Sequence, residues 1–128
     1  MKVLKCSLVI IAALFAAQSA YAHHSSAMFD FTKKIQFEGV VKEWQYTNPH
    51  CWLIITVTKS DGTTEDWALE GGNPGLSSNL TRSTFKRGQK VTAITNPMRD
   101  GRKAGKLSYI RFADGRVWEA PSVYGARR

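Results

Sequence analysis

The sequence predicts a small, mostly β fold, an OB-like barrel of five to six strands with one short helix between strands 3 and 4. Three observations predict it. Runs rich in β-branched and aromatic residues recur between tight-turn signals. A Gly-Gly-Asn-Pro-Gly break follows the third run, ahead of a stretch of helix length. Three strands, a short helix and further strands is the order of an OB-type barrel. A small open β-sandwich is the competing arrangement.

The N-terminus reads as an export signal over residues 1–22. Lys2 and Lys5 give a positive start, SLVIIAALFAA is an apolar run, and Ala20-Tyr21-Ala22 is an A-x-A site that places cleavage before His23. The apolar run falls short of the roughly 20 residues that span a bilayer. A periplasmic or secreted chain of residues 23–128, one domain with no transmembrane span, is therefore expected. Cys6 departs with the signal, which leaves Cys51 alone and excludes an internal disulfide.

Each element has its own signal. Residues 35–46 (IQFEGVVKEWQY) form a long strand, and Gly39 suggests a bulge or bend in it. Thr47-Asn48-Pro49 is turn chemistry. Residues 50–59 (HCWLIITVTK) are the strongest strand, and Asp61-Gly62 signals a hairpin into residues 63–70. Residues 76–85 suit a short helix with Leu76, Leu80 and Phe85 inward. Strands over residues 90–95, 106–113 and 116–119 follow, with a basic loop at 96–105. From Ala120 the tail is expected to fray.

The stretches HHSSAMFD, EWQYTNPHCW, DWALEGGNPGL, LTRSTFKRGQKV and SYIRFADGRVW resemble a family of small secreted bacterial proteins catalogued as a domain of unknown function. The resemblance spans nearly all of residues 23–128. It implies a secreted β domain and assigns no activity. Cys51 and Met28 depart from the family's pattern, so it assigns neither a role.

The candidate chemistry lies in three histidines. Cleavage would give His23 a free α-amine beside its imidazole, with His24 next to it and His50 in the NPH motif. Amine and imidazole nitrogens suit copper, nickel and zinc, Cu(II) most strongly. The amine must lose a proton to bind, so affinity rises with pH. Residues 23–34, fully extended, reach about 40 Å, enough to run back along the first strand toward His50. A solvated tail and a hydrogen-bonded turn histidine explain the same residues without metal.

Alternation puts Cys51, Leu53, Ile55 and Val57 on one apolar face and His50, Trp52, Ile54 and Thr56 on the other. That predicts a buried thiol pointing away from His50. A second reading is a metal-independent binding module. Trp44, Trp52 and Trp67 would stack on a ligand, and Arg99, Arg102, Lys103 and Lys106 would meet an anionic envelope ligand or protein partner. Core packing accounts for the same rings, and a solvated loop for the same cations. Residues 82–128 carry twelve basic and three acidic groups, which favours anionic partners; export argues against nucleic acid. Glu43, Asp66 and Glu70 read as surface charges on strands. No catalytic motif occurs, so no enzyme is expected.

Overall fold

The computed structural model describes residues 26–74 and 79–121. Six strands appear: β1 (Ile35–Gln45), β2 (Cys51–Thr58), β3 (Thr64–Gly72), β4 (Lys90–Pro97), β5 (Ala104–Phe112) and β6 (Val117–Glu119). They form one sheet in the order β3-β2-β1-β4-β5-β6. A parallel pairing of β3 with β5, Ala68 to Ala104 through Glu70 to Lys106, closes five of them into a barrel. This is the OB-like arrangement expected, with β6 added beyond β5.

Period-two alternation fills the barrel. Leu53, Ile55, Trp67, Leu69, Val91, Ala93, Leu107, Ile110 and Phe112 point inward and are buried. Each large aliphatic side chain contributes about 1.5–3 kcal/mol on burial. Cys51 is fully buried, as its alternation required. Desolvation pushes its thiol pKa up.

β1 coils sharply to pair with β2 on one edge and β4 on the other. The expected irregularity falls at two places. The register shifts between Val41 and Glu43. Gly39 lets β1 lie tight on β2, since a Cβ there would stand 2.9 Å from the Thr56 carbonyl oxygen. Closure is equally tight at Gly105, which pairs with Pro97 on one side and Leu69 on the other.

Two expectations are corrected. Residues 79–85 make turns instead of continuing a helix; residues 75–78 lie outside the described set. The reason is local. Thr81, Ser83 and Thr84 satisfy one another and the backbone, with the Thr81 amide donating to Thr84 Oγ1 at 2.7 Å, and such bonds compete with helix. Leu80 and Phe85 still reach the core. The tail also stays attached at its start. Ala120 donates its N–H to the Ser108 carbonyl at 3.0 Å and packs on the core.

Residues 26–34 do not run back along β1. Phe29 forms a bridge with Met98, the Asp30 amide donates to the Pro97 carbonyl, and Asn96 Nδ2 donates to the Lys33 carbonyl at 2.7 Å. The segment is thereby held against the end of β4.

Candidate functional site

Closure of the barrel draws one row of residues across five strands: Gln45, Trp52, Glu70, Lys106 and Asn96 are successive register partners. Glu70 sits at its centre on the outer face. Its side chain is only 5 % exposed. Glu70 Oε1 accepts from Lys106 Nζ at 2.7 Å and lies 3.4 Å from His50 Nδ1. Lys106 is 13 % and His50 31 % exposed at the side chain.

Local sequence explains how these groups meet. The Thr47–Pro49 turn, with a cis Asn48–Pro49 bond, delivers His50 at the head of β2. Thr47 Oγ1 donates to the His50 carbonyl at 3.0 Å. The β2–β3 register shifts so that Cys51 faces Gly72 while Trp52 faces Glu70, leaving Gly71 as the extra residue. Gly71 turns inward against Leu80 and Cys51. His50, Trp52 and Glu70 consequently share the outer face.

Glu70 is thus not the surface charge on a strand expected from the sequence, its side chain being 5 % exposed. A carboxylate buried to this degree requires partners, and it has two, the Lys106 ammonium and the His50 imidazole. The side nearest Glu70 is His50 Nδ1, which leaves Nε2 as the free ring nitrogen. A carboxylate beside one imidazole nitrogen is the arrangement that orients the other toward a metal.

The other residues singled out by sequence are dispersed. His23 and His24 lie outside the described residues. Trp67 is buried against Phe37, their rings 5.0 Å apart, and its Nε1 donates to Glu65. Trp44 packs edge-on against Phe85 and donates to the Thr81 carbonyl at 2.9 Å. Of the three tryptophans only Trp52 stands in the row with Glu70. The basic loop is internally engaged. Arg99 Nε donates to the Ala27 carbonyl, Arg102 pairs with Asp100 at 2.7 Å, and Lys103 pairs with Glu65 at 2.9 Å while lying over the Trp67 ring. Among the described residues, no group of three or more His, Cys, Asp or Glu side chains gathers in metal-binding geometry.

Sequence reading missed the pairing of Glu70 with Lys106. Its only signal was a glutamate ending a strand ahead of Gly-Gly, opposite a Trp in the neighbouring strand. The parallel β3–β5 contact that buries it leaves no local pattern.

A model for DUF6152, a family of unknown function, matches residues 11–108 of the chain. No curated protein and no solved structure matches it.

Proposed function

The chain belongs to this family of unknown function, DUF6152, and we propose that it is a small exported protein that binds a transition metal, copper foremost, through His50 and the histidines of its mature N-terminus. One observation carries the reading: His50 stands half-exposed with Nδ1 turned to the buried Glu70 carboxylate, which leaves Nε2 for a ligand. His50 alone makes a weak site. His23, with its α-amine after cleavage, and His24 would supply the remaining nitrogens.

The course of the N-terminal segment supports this. Phe29 and Asp30 are fixed against Met98 and Pro97, one strand from β5, which carries Lys106. From Ser26, three residues lead back to His23, about 10 Å of extended chain. Glu70 would orient and Lys106 would hold Glu70, so neither need bind the metal itself.

Calorimetry of Cu(II) with three proteins tests the reading: one beginning at His23, the same protein with His50→Ala, and one extended by a residue before His23. Both changes are expected to weaken binding, because one removes the body's ligand and the other turns the α-amine into an amide. Metal should raise the melting temperature of the first protein alone. Equal affinity in all three, matching a free His-His peptide, would replace this reading with the metal-independent binding module for an anionic envelope ligand or protein partner.

A further inference from the structure

A cleft of about 630 Å³ opens on the outer surface of β2, β1, β4 and β5, lined by Glu38, Val40, Thr58, Lys90, Thr92 and Arg111 among others. It involves none of the residues of the His50 site. The register sets its charges. Glu38 on β1 faces Thr92 on β4, and Thr92 faces Arg111 on β5. Lys90 faces Val40 in the adjoining row.

Several charges elsewhere on the described surface are paired. Asp66 takes Lys42 and the Thr56 hydroxyl, Asp100 takes Arg102, Asp114 takes Arg116, and Glu65 takes Lys103. In the cleft they are not. Glu38 and Lys90 make no ion pair or side-chain hydrogen bond, and Arg111 makes only a 3.5 Å contact with Thr92 Oγ1. Two strand spacings, about 10 Å, separate Glu38 from Arg111, with a short threonine between them. One carboxylate and two cations therefore face a common space without neutralising one another.

We infer that this cleft binds a small zwitterion of the phosphoethanolamine type, with its phosphate on Lys90, Arg111 and the Thr92 hydroxyl and its ammonium on Glu38. The lining decides between anions. A guanidinium, an ammonium and a hydroxyl together offer more donors than the two oxygens of a carboxylate use, and match the oxygens of a phosphate. Glu38 excludes simple anions by repulsion and rewards a ligand with a positive end. Val40, 38 % exposed, offers an apolar floor for the methylenes between them.

Calorimetry of the full exported protein with O-phosphoethanolamine, inorganic phosphate and ethanolamine tests this. Phosphoethanolamine should bind at least about tenfold more tightly than either fragment, the worth of one charge-assisted contact. Glu38→Gln should weaken phosphoethanolamine about tenfold and strengthen inorganic phosphate, and Arg111→Gln should weaken both. Unchanged melting temperatures would show that the variants remain folded. Co-sedimentation with phosphatidylethanolamine vesicles, compared with phosphatidylcholine, distinguishes a lipid headgroup from a free phosphomonoester as the source. Inorganic phosphate binding as tightly as phosphoethanolamine, indifference to Glu38→Gln, or no binding of any probe would overturn the inference.

Discussion

Substituting Gly105 by alanine is expected to lower the stability of the protein by about 2–4 kcal/mol. The added methyl would stand 2.2 Å from Thr95 Oγ1, 2.6 Å from the Asn96 carbonyl oxygen and 3.2 Å from its carbon. Close C–H···O contacts begin at about 3.3 Å, so both oxygens must move. Thr95 is fully buried, and its hydroxyl donates to the Lys106 carbonyl at 2.8 Å. Rotating it away forfeits that bond, about 0.5–1.5 kcal/mol. The Asn96 carbonyl belongs to the backbone of β4, so relief there shifts the strand itself, an overpacking cost of about 1–3 kcal/mol. For a domain of this size each kcal/mol moves the melting temperature by about 4–8 °C, which gives a fall of about 8–32 °C. Thermal unfolding followed by circular dichroism measures it, with urea titration to check that the m-value is unchanged. Gly71→Ala is the comparison: its nearest neighbour is the end of the Leu80 side chain at 3.0 Å, which yields more easily. A fall of less than about 2 °C for Gly105→Ala would refute the close approach of β5 to β4 at this position.

Three further outcomes are expected. Glu70→Gln should destabilise by about 1–3 kcal/mol, and urea unfolding of Glu70→Gln, Lys106→Met and the double variant should show a coupling of about 1 kcal/mol; strict additivity would deny their pairing. Cys51 should react with thiol reagents far more slowly in the folded than in the urea-unfolded protein, and comparable rates would contradict its burial. Asp30, Asp61, Glu65, Asp66, Asp100 and Asp114 are held below the usual carboxylate range, chiefly by hydrogen bonds from nearby side chains and, for Asp100, from the Arg102 backbone. A carboxylate with a lowered folded pKa adds stability that is complete above its unfolded value, about pH 4, and is lost as pH falls through the folded value. Stability measured against pH should accordingly drop below about pH 4, less steeply in high salt, and a flat acid limb would be inconsistent with these contacts.

The strands were legible because each is written locally. HCWLIITVTK alternates, Asp61-Gly62 turns it, and the inward set Cys51, Leu53 and Ile55 is buried as alternation dictates. The stretch from residue 79 was misleading for a reason also local. Leu80 and Phe85 carry the apolar positions a helix would bury, while the hydroxyls of Thr81, Ser83 and Thr84 close turns that hold those side chains in the core without one. The site was only half legible. His50 stands out by its residue type and its place after Asn48-Pro49. Glu70 did not, since nothing near it in the chain reveals that Lys106, thirty-six residues on, will pair with it. Trp67 and Trp44 drew attention as rings on a sheet, and their place in the core depends on how far that sheet curls.

The curl bears on the order of assembly. β1 with β2, β2 with β3, and β4 with β5 are joined by short connections, so each hairpin can form from neighbours in the chain. The seams are different: Ile35 must find Thr95, and Ala68 must find Ala104. Long-range pairings of this kind slow folding, because chain entropy is spent before they give anything back. A molecule with its hairpins made and its seams open would present bare strand edges to other copies of itself. Glu70 lies in the three-residue seam between β3 and β5, so its ion pair with Lys106 forms only when that seam closes. That pair marks one event: a spectroscopic probe on the Glu70 side chain would report when β3 meets β5.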